Sequence, residues 1–401
     1  MVEMNVIKVI ENVRNIISEE SSGLTDEKVI ELIEEMVLTH IDNEISFKEV
    51  KDIVYKVFYS IRSDVSILQP YIEDNEVCEI MVNGKDSIFI EKNGKIINTQ
   101  TGFTTNEELE NLIRRIAGKV HREINELNPI VDARLTDGSR VNAVYKNVAL
   151  NGPILTIRKF PKVGITMEDL IEFGTITKDA AAFLKILVKS RYNIFVSGGT
   201  SSGKTTFLNV LSNFIPSNER VIVIEDSAEL KLDNIENIVR LECKNATSSG
   251  KGEVTMEQLI KTSLRMRPDR IIVGEVRGKE IMSMLVAMNT GHDGSISTGH
   301  GNSVEGMLKR MEAMYLQAVE FPIEAIRAQI VEGIDIIVHL GRLSDMSRKV
   351  LSIAEIVELR NGKFETNVIY NYEIDDGLVR TGNNIIRREK LKLSDEDYEY
   401  M

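Results

Sequence analysis

The chain has no tryptophan, two cysteines, seven prolines and five histidines among its 401 residues. Cys78 and Cys243 alone exclude a disulfide framework, and no Cys-x-x-Cys pair exists to build a zinc site. No apolar run is long enough to span a bilayer. The opening residues, MVEMNVIKVIENVRN, mix charges into their apolar positions, unlike a signal peptide. Positive charge is also in short supply. Forty-nine Lys and Arg stand against 62 Asp and Glu, a net charge of −13. That balance argues against a protein that coats nucleic acid or lies directly on anionic lipid. A reducing cytoplasm fits, and work at a membrane would need a protein receptor.

The remaining composition, 42% hydrophobic and 28% charged, describes a soluble globular protein. The length exceeds what one core usually serves, so two or three domains are expected. Residues 1–64 read as helices: IKVIENVRNII, DEKVIELIEEMVL and FKEVKDIVYKVFYSI place apolar residues at helical spacing. Thr25 and Ser46 stand as N-caps, and the segment suggests a docking module. Over 65–160 the period changes. EIMVNGKDSIFIEKNGKIINT reads as strands broken by NGKD and KNGK turns, ELENLIRRIAGKVHREI as a helix, and VDARLTDGSRVNAVY and PILTIRKF as further strands. This is an α+β domain. Residues 161–178, PKVGITMEDLIEFGTITK, read as a linker with one short helix.

Over 179–385 short apolar strands (NIFVSG, VIVIED, RIIVGE, GSISTGH) alternate with helices. That pattern implies an α/β fold with a mostly parallel sheet covered on both faces. IDIIVHLGRL and KVLSIAEIVELRNGKFETNVIYNYE read as a strand-rich extension. Residues 386–401 are expected to be an acidic, mobile tail.

GGTSSGKT, residues 198–205, matches G-x-x-x-x-G-K-[ST] between an apolar strand and a helix. Gly198, Gly199, Thr200, Ser201, Ser202, Gly203, Lys204, Thr205 and Thr206 therefore form a phosphate cradle. Its glycines let backbone N–H groups turn inward, and the helix N-terminus adds its positive end. Lys204 would neutralise the β- and γ-phosphates of ATP, and Thr205 would supply a hydroxyl to Mg²⁺. Hydrolysis also needs carboxylates near the magnesium and the attacking water. Two strands end in acids: VIVIED leads to Glu225, Asp226 and then Glu229, and RIIVGE leads to Glu275. Both obey the rule that α/β sites gather at strand carboxyl ends.

These boxes carry a resemblance. GGTSSGKTT, VIVIEDSAEL, RPDRIIVGEVRG and MNTGHDGSISTGHGNS resemble, in order, the Walker A, Asp box, atypical Walker B and His box of the secretion-superfamily ATPases. That superfamily covers type II and type IV secretion and type IV pili. The chain looks most like the CpaF/TadA-like branch that powers Flp/Tad pilus assembly. The resemblance runs from about 65 to 360, with EIMVNGKDSIFIEKNGKI, VDARLTDGSRVNAV and LTIRKF similar to the branch's N-terminal domain.

It implies a RecA-like P-loop ATPase core, an N-terminal α+β domain of PAS-like type, and a homohexamer that binds ATP between the two domains. It further implies an inner-membrane platform protein as partner and a cytoplasmic location peripheral to the membrane's inner face, without nucleic acid. By position Glu229 matches the catalytic Asp-box glutamate and Glu275 the Walker B glutamate near magnesium. Arg140 and Arg158, with Arg134 behind them, match arginines that reach toward the γ-phosphate. The sequence departs at Gly301 and Gly299, which flank His300 where relatives more often carry Ala and an apolar residue, in that order. The four-cysteine zinc motif of many extension ATPases is absent.

His292 and His300 lie eight apart in TGHDGSISTGHGNS. Asp293 is the only close acid and no Cys is near, so a metal site is disfavoured. Both are expected at the ends of one connection near the γ-phosphate, coupling nucleotide state to a moving domain. Two other functions compete with a motor. A RecA-type DNA translocase would show DNA-stimulated turnover, and an ATP-gated scaffold would tolerate Glu229→Gln.

Overall fold

The structure, a computed structural model, describes residues 9–10, 12–13, 16, 24–40, 47–92, 94–160, 164–244 and 251–394. Most of IKVIENVRNII, part of the KNGK turn, the start of the 161–178 stretch and the end of the acidic tail lie outside the described residues. The chain divides into two units, Met1–Val163 and Gly164–Met401.

The first unit begins with helices α1 (Asp26–His40) and α2 (Phe47–Arg62). Val29, Ile33 and Val37 recur every four residues and pack with Val54, Val57, Val9, Ile10 and Val13 in a small separate core. A short α3 (Gln69–Glu73) leads into β1 (Val77–Asn83), β2 (Ile88–Lys92) and β3 (Lys95–Asn98). Helix α4 (Asn106–Lys119) follows, then β4 (Ile130–Arg134), β5 (Arg140–Val144) and β6 (Ile154–Arg158). The six strands form one antiparallel sheet, ordered β3-β2-β1-β6-β5-β4. It is two three-stranded meanders joined edge to edge. Val141, Ala143, Leu155 and Ile157 alternate inward against Leu109, Leu112, Ile113 and Ile116 of α4, which begins on the capping hydroxyl of Thr105.

The second unit opens with α5 (Met167–Glu172) and α6 (Lys178–Lys189). There follow β7 (Ile194–Gly198), α7 (Lys204–Ser212), β8 (Arg220–Glu225), β9 (Asn237–Glu242), α8 (Met256–Ser263), β10 (Arg270–Val273), α9 (Glu280–Asn289) and β11 (Ile296–His300). Helices α10 (Val304–Leu316) and α11 (Ile323–Gly333) come next. The unit closes with β12 (Ile336–Arg342), β13 (Arg348–Arg360), β14 (Lys363–Glu373), β15 (Gly377–Arg380) and the short α12 (Glu389–Lys392). Nine strands form one sheet, β15-β14-β13-β12-β7-β11-β10-β8-β9. The stretch from β12 to β9 is parallel and the other end antiparallel.

Both faces are covered. Ile194 and Val196 of β7 join Leu184 of α6 and Phe207 and Leu208 of α7 in one core. Phe195, between them, points into the other core with α8 to α11. This is the RecA-like α/β core that the family resemblance implied, and the alternation of strands and helices implied its largely parallel sheet covered on both faces.

Three features differ from the sequence reading. IDIIVHLGRL belongs to no appended extension: β12 is the parallel neighbour of β7. Strand β9 was not read from the sequence, because its residues are at best half-buried and carry no continuous apolar run. Residues 386–391 are tied to the fold: Leu391 is buried, Glu355, fully buried, accepts the backbone N–H groups of Ile386 and Arg387, and Lys390 Nζ lies 2.7 Å from Asp335 Oδ2.

Candidate active site

Strand β7 delivers the chain to the P-loop at the carboxyl edge of the sheet. Ser201 (φ 59°) and Gly203 (φ 91°) both take the left-handed conformation, which folds the loop back on itself. Helices α5, α6, α8 and α10 start on a capping hydroxyl, from Thr166, Thr177, Thr255 and Ser303. Helix α7 starts after Gly203 with no side-chain cap, so its first N–H groups are free for an anion. Lys204 is buried, and its Nζ donates to the Gly199 carbonyl at 2.8 Å. Burial pulls its pKa below the usual lysine value, against the opposing pull of Glu275.

The acids divide into two kinds. Glu225, at the end of β8, is buried, and its Oε1 accepts the N–H groups of Glu229 (2.7 Å) and Leu230 (3.0 Å). Burial raises its pKa, and those two N–H groups oppose the rise. Glu225 thus shapes the loop that carries Glu229. The Gly-Glu ending of the next strand follows from this: a Cβ on Gly274 would stand 3.1 Å from Glu225 Cγ. Asp226 and Glu275 face Arg277 instead. Arg277 lies 2.8 Å from Glu275 Oε2 and 3.9 Å from Asp226 Oδ2. Its pKa is raised mainly by the Glu275 bond, then by the charges of Glu275, Asp226 and Glu229. Arg277 therefore stands between Glu275 and Asp226, with the charge of Glu229 also acting on it. Sequence reasoning missed it, although it sits two residues after Glu275.

His300 ends β11, directly opposite Gly198. Its Nε2 is 2.8 Å from Glu275 Oε1, and its Nδ1 is 3.4 Å from Lys204 Nζ. Nδ1 faces an ammonium and is the acceptor there. Burial, then the Lys204 charge, holds the imidazole pKa below 6.5, so it is neutral at pH 7. Gly299 and Gly301 make this possible. A Cβ at 299 would meet the Phe195 ring at 2.9 Å, and one at 301 would meet Ser197 Oγ at 2.6 Å.

His292 is elsewhere. Its Nδ1 lies 3.2 Å from the Ala287 carbonyl at the end of α9, and its carbonyl accepts from Ser295 Oγ at 2.7 Å. Asn193 Oδ1 takes the N–H groups of Gly294 (2.9 Å) and Ser295 (3.0 Å). This turn precedes Ile296, which pairs with Ile194 at the start of β7. The two histidines stand at opposite ends of one connection, and His300 is the one beside the P-loop lysine. A five-residue strand, about 13 Å from first residue to last, separates them, and only His300 reaches the P-loop.

Residues 62–369 match the family model described as type II/IV secretion system protein. The chain belongs to that family. It is similar to conjugal transfer protein TrbB of Rhizobium radiobacter, 32% identical over 307 residues, 76% of this chain and 91% of that one. It is 44% identical over 254 residues to an uncharacterized protein of Methanocaldococcus jannaschii. That match takes in 61% of this chain but only 35% of the archaeal protein's length. Its fold is similar to the crystal structure of the pilus retraction motor PilT with bound ADP, with a TM-score of 0.54 and 20% identity over 82% of this chain and 85% of that chain.

In this secretion-family chain the three arginines Arg134, Arg140 and Arg158 lie in the first unit. They form one row, because Arg134 pairs with Arg140 and Arg140 with Arg158 across β4, β5 and β6. Val141, Ala143, Leu155 and Ile157 turn toward α4, so the arginines stand on the opposite face of the sheet. Glu79 of β1 continues the row beside Arg158.

Proposed function

We propose that this chain is an ATPase that hydrolyses ATP with Mg²⁺ and passes the work to a secretion or pilus machine. One observation carries the reading. Lys204, at the start of α7, meets His300 and Glu275, from the ends of two separate strands, at the mouth of the P-loop. The uncapped start of α7 and Lys204 bind the phosphates. Glu275 Oε1 is buried and faces the Nε2–H of His300 at 2.8 Å. The Glu275 carboxylate, with the Thr205 hydroxyl, suits a divalent cation. Mg²⁺ bound there would supply positive charge against the phosphate oxygens.

Glu229, held by its own N–H on Glu225, is the candidate to accept the proton of the attacking water. Arg277 keeps Asp226 and Glu275 oriented toward one another. His300 touches both the lysine and the carboxylate, so it registers what each is bound to. The arginine row of the first unit offers three guanidiniums in register, a surface suited to phosphate oxygens.

The finer reading is a homohexamer of the CpaF/TadA-like, Flp/Tad pilus-assembly branch. It would act at the inner face of the membrane through a platform protein. Family membership and the likeness to the conjugal transfer protein TrbB support a secretion-type machine. No helix among the described residues is long and apolar enough to cross a membrane, and a protein partner would supply the attachment. The test is phosphate release by the purified chain with Mg²⁺ and ATP, set against Lys204→Ala. Release well above that variant is expected. Equal release from both, with the platform protein also present, ends the reading.

A further inference from the structure

We infer that Arg342 and Arg348 form a second phosphate-binding flank of the P-loop, opposite the flank that carries Glu275 and His300. The inference rests on the ATPase reading above. Its basis is strand order. On one side of β7 lie β11 and β10, which end in His300 and lead to Glu275. On the other side β12 runs parallel to β7 as far as Leu340, opposite Gly198, and then continues to Arg342. Arg342 pairs with Arg348 across the hairpin that begins β13. The two guanidiniums therefore share one rung, just past the carboxyl edge of the P-loop strand. They lie on the face of Val338, Leu340 and Val350, whose core includes Phe207 and Leu208 of α7. That is the face from which α7 starts.

Arg348 reaches the loop itself. Its Nε donates to the Ser201 carbonyl at 3.0 Å, and its Cδ stands 3.3 Å from where a Cβ of Gly203 would be. Its two terminal nitrogens make no hydrogen bond, and Arg342 makes no hydrogen bond or ion pair, among the described residues. Both side chains are exposed. Like charges facing one another on a hairpin destabilise it, and no described acid neutralises these two. An anion between them would offset the repulsion, and the planar fork of a guanidinium fits phosphate oxygens in particular. On this geometry Glu275 and His300 lie on one flank of the bound phosphates and the arginine pair on the other. The pair sets nucleotide affinity.

The experiment measures binding of ATP, ADP and inorganic tripolyphosphate to the full chain, its Arg342→Ala and Arg348→Ala variants, and Lys204→Ala. Arg342→Ala is the cleaner variant, since that side chain makes no hydrogen bond or ion pair among the described residues. It is expected to weaken all three ligands about tenfold at an unchanged melting temperature. In hydrolysis the loss should fall on KM more than on kcat. Wild-type binding by both arginine variants, while Lys204→Ala loses ATP, overturns the inference and leaves the ATPase reading intact. Weaker ATP binding with tripolyphosphate unaffected also overturns it, since the arginines would then serve base or ribose. Wild-type affinity for ATP in Lys204→Ala overturns the ATPase site and the inference together.

Discussion

Glu275 Oε1 lies 2.8 Å from His300 Nε2, at the end of the strand beside the P-loop. The other ring nitrogen faces Lys204, so one imidazole spans the phosphate-binding lysine and the candidate magnesium carboxylate. On the proposed function that position suits His300 to report nucleotide state.

The consequence for mutation is a separation of binding from turnover. His300→Ala should bind ATP within a few-fold of wild type and lose turnover roughly tenfold to a hundredfold. His292→Ala, at the far end of β11, should lose far less. Nucleotide titration together with phosphate release measures both. Equal losses in the two variants would show that the strand does not separate their roles.

Glu225 and Glu229 look alike in sequence and differ in the fold. Glu225 accepts two backbone N–H groups of the loop that bears Glu229. Glu225→Ala should lower unfolding free energy by about 2 kcal/mol and reduce turnover with it. Glu229→Gln should reduce turnover with little change in stability. Urea unfolding beside activity separates the two, and a fully stable Glu225→Ala would count against the assignment.

His339 gives a pH dependence. It is buried on β12, with Nδ1 3.3 Å from Ser197 Oγ, and burial holds its pKa below the usual 6.5. The unfolded chain therefore binds this proton more readily than the folded one. Stability is full above pH 6.5 and falls below it, by at most about 1.4 kcal/mol per pH unit from this group. His339→Gln should flatten that fall in denaturation curves taken from pH 7.5 to 5. An identical slope in the variant would contradict the sign or the source.

The two cysteines should react at different rates. Cys78 is exposed, whereas burial, then Asp226, Glu280 and Glu242, push the Cys243 thiol up to about 11. Iodoacetamide at pH 8 should label Cys78 first and reach Cys243 quickly only in denaturant. Peptide mapping over time reads this directly, and equal labelling of the folded chain would refute it.

The parts legible in sequence were local ones. GGTSSGKT carries its strand, turn and helix within a dozen residues, and the apolar runs of β7, β8, β10 and β11 lie beside helices of clear period. What sequence left hidden was set by distant pairing. Strand β12 joins β7 across more than a hundred residues, and nothing in IDIIVHLGRL announces a parallel neighbour. Glu225 turns inward and Asp226 outward, a choice that depends on Gly274 and on the backbone of 229–230. His292 and His300 are close in number, yet a fully extended strand separates them. Arg277 mattered only once acids from two strand ends, Asp226 and Glu275, were seen to converge on it.

The most direct measurement of the central claim uses Glu275→Gln, which keeps the shape of the side chain and removes its charge. ATP binding and Mg²⁺-dependent phosphate release are followed in that variant and in wild type. The account predicts retained ATP binding and turnover lower by roughly a hundredfold. Turnover at the wild-type rate would contradict it, because the carboxylate that meets His300 and Arg277 would then have no part in hydrolysis.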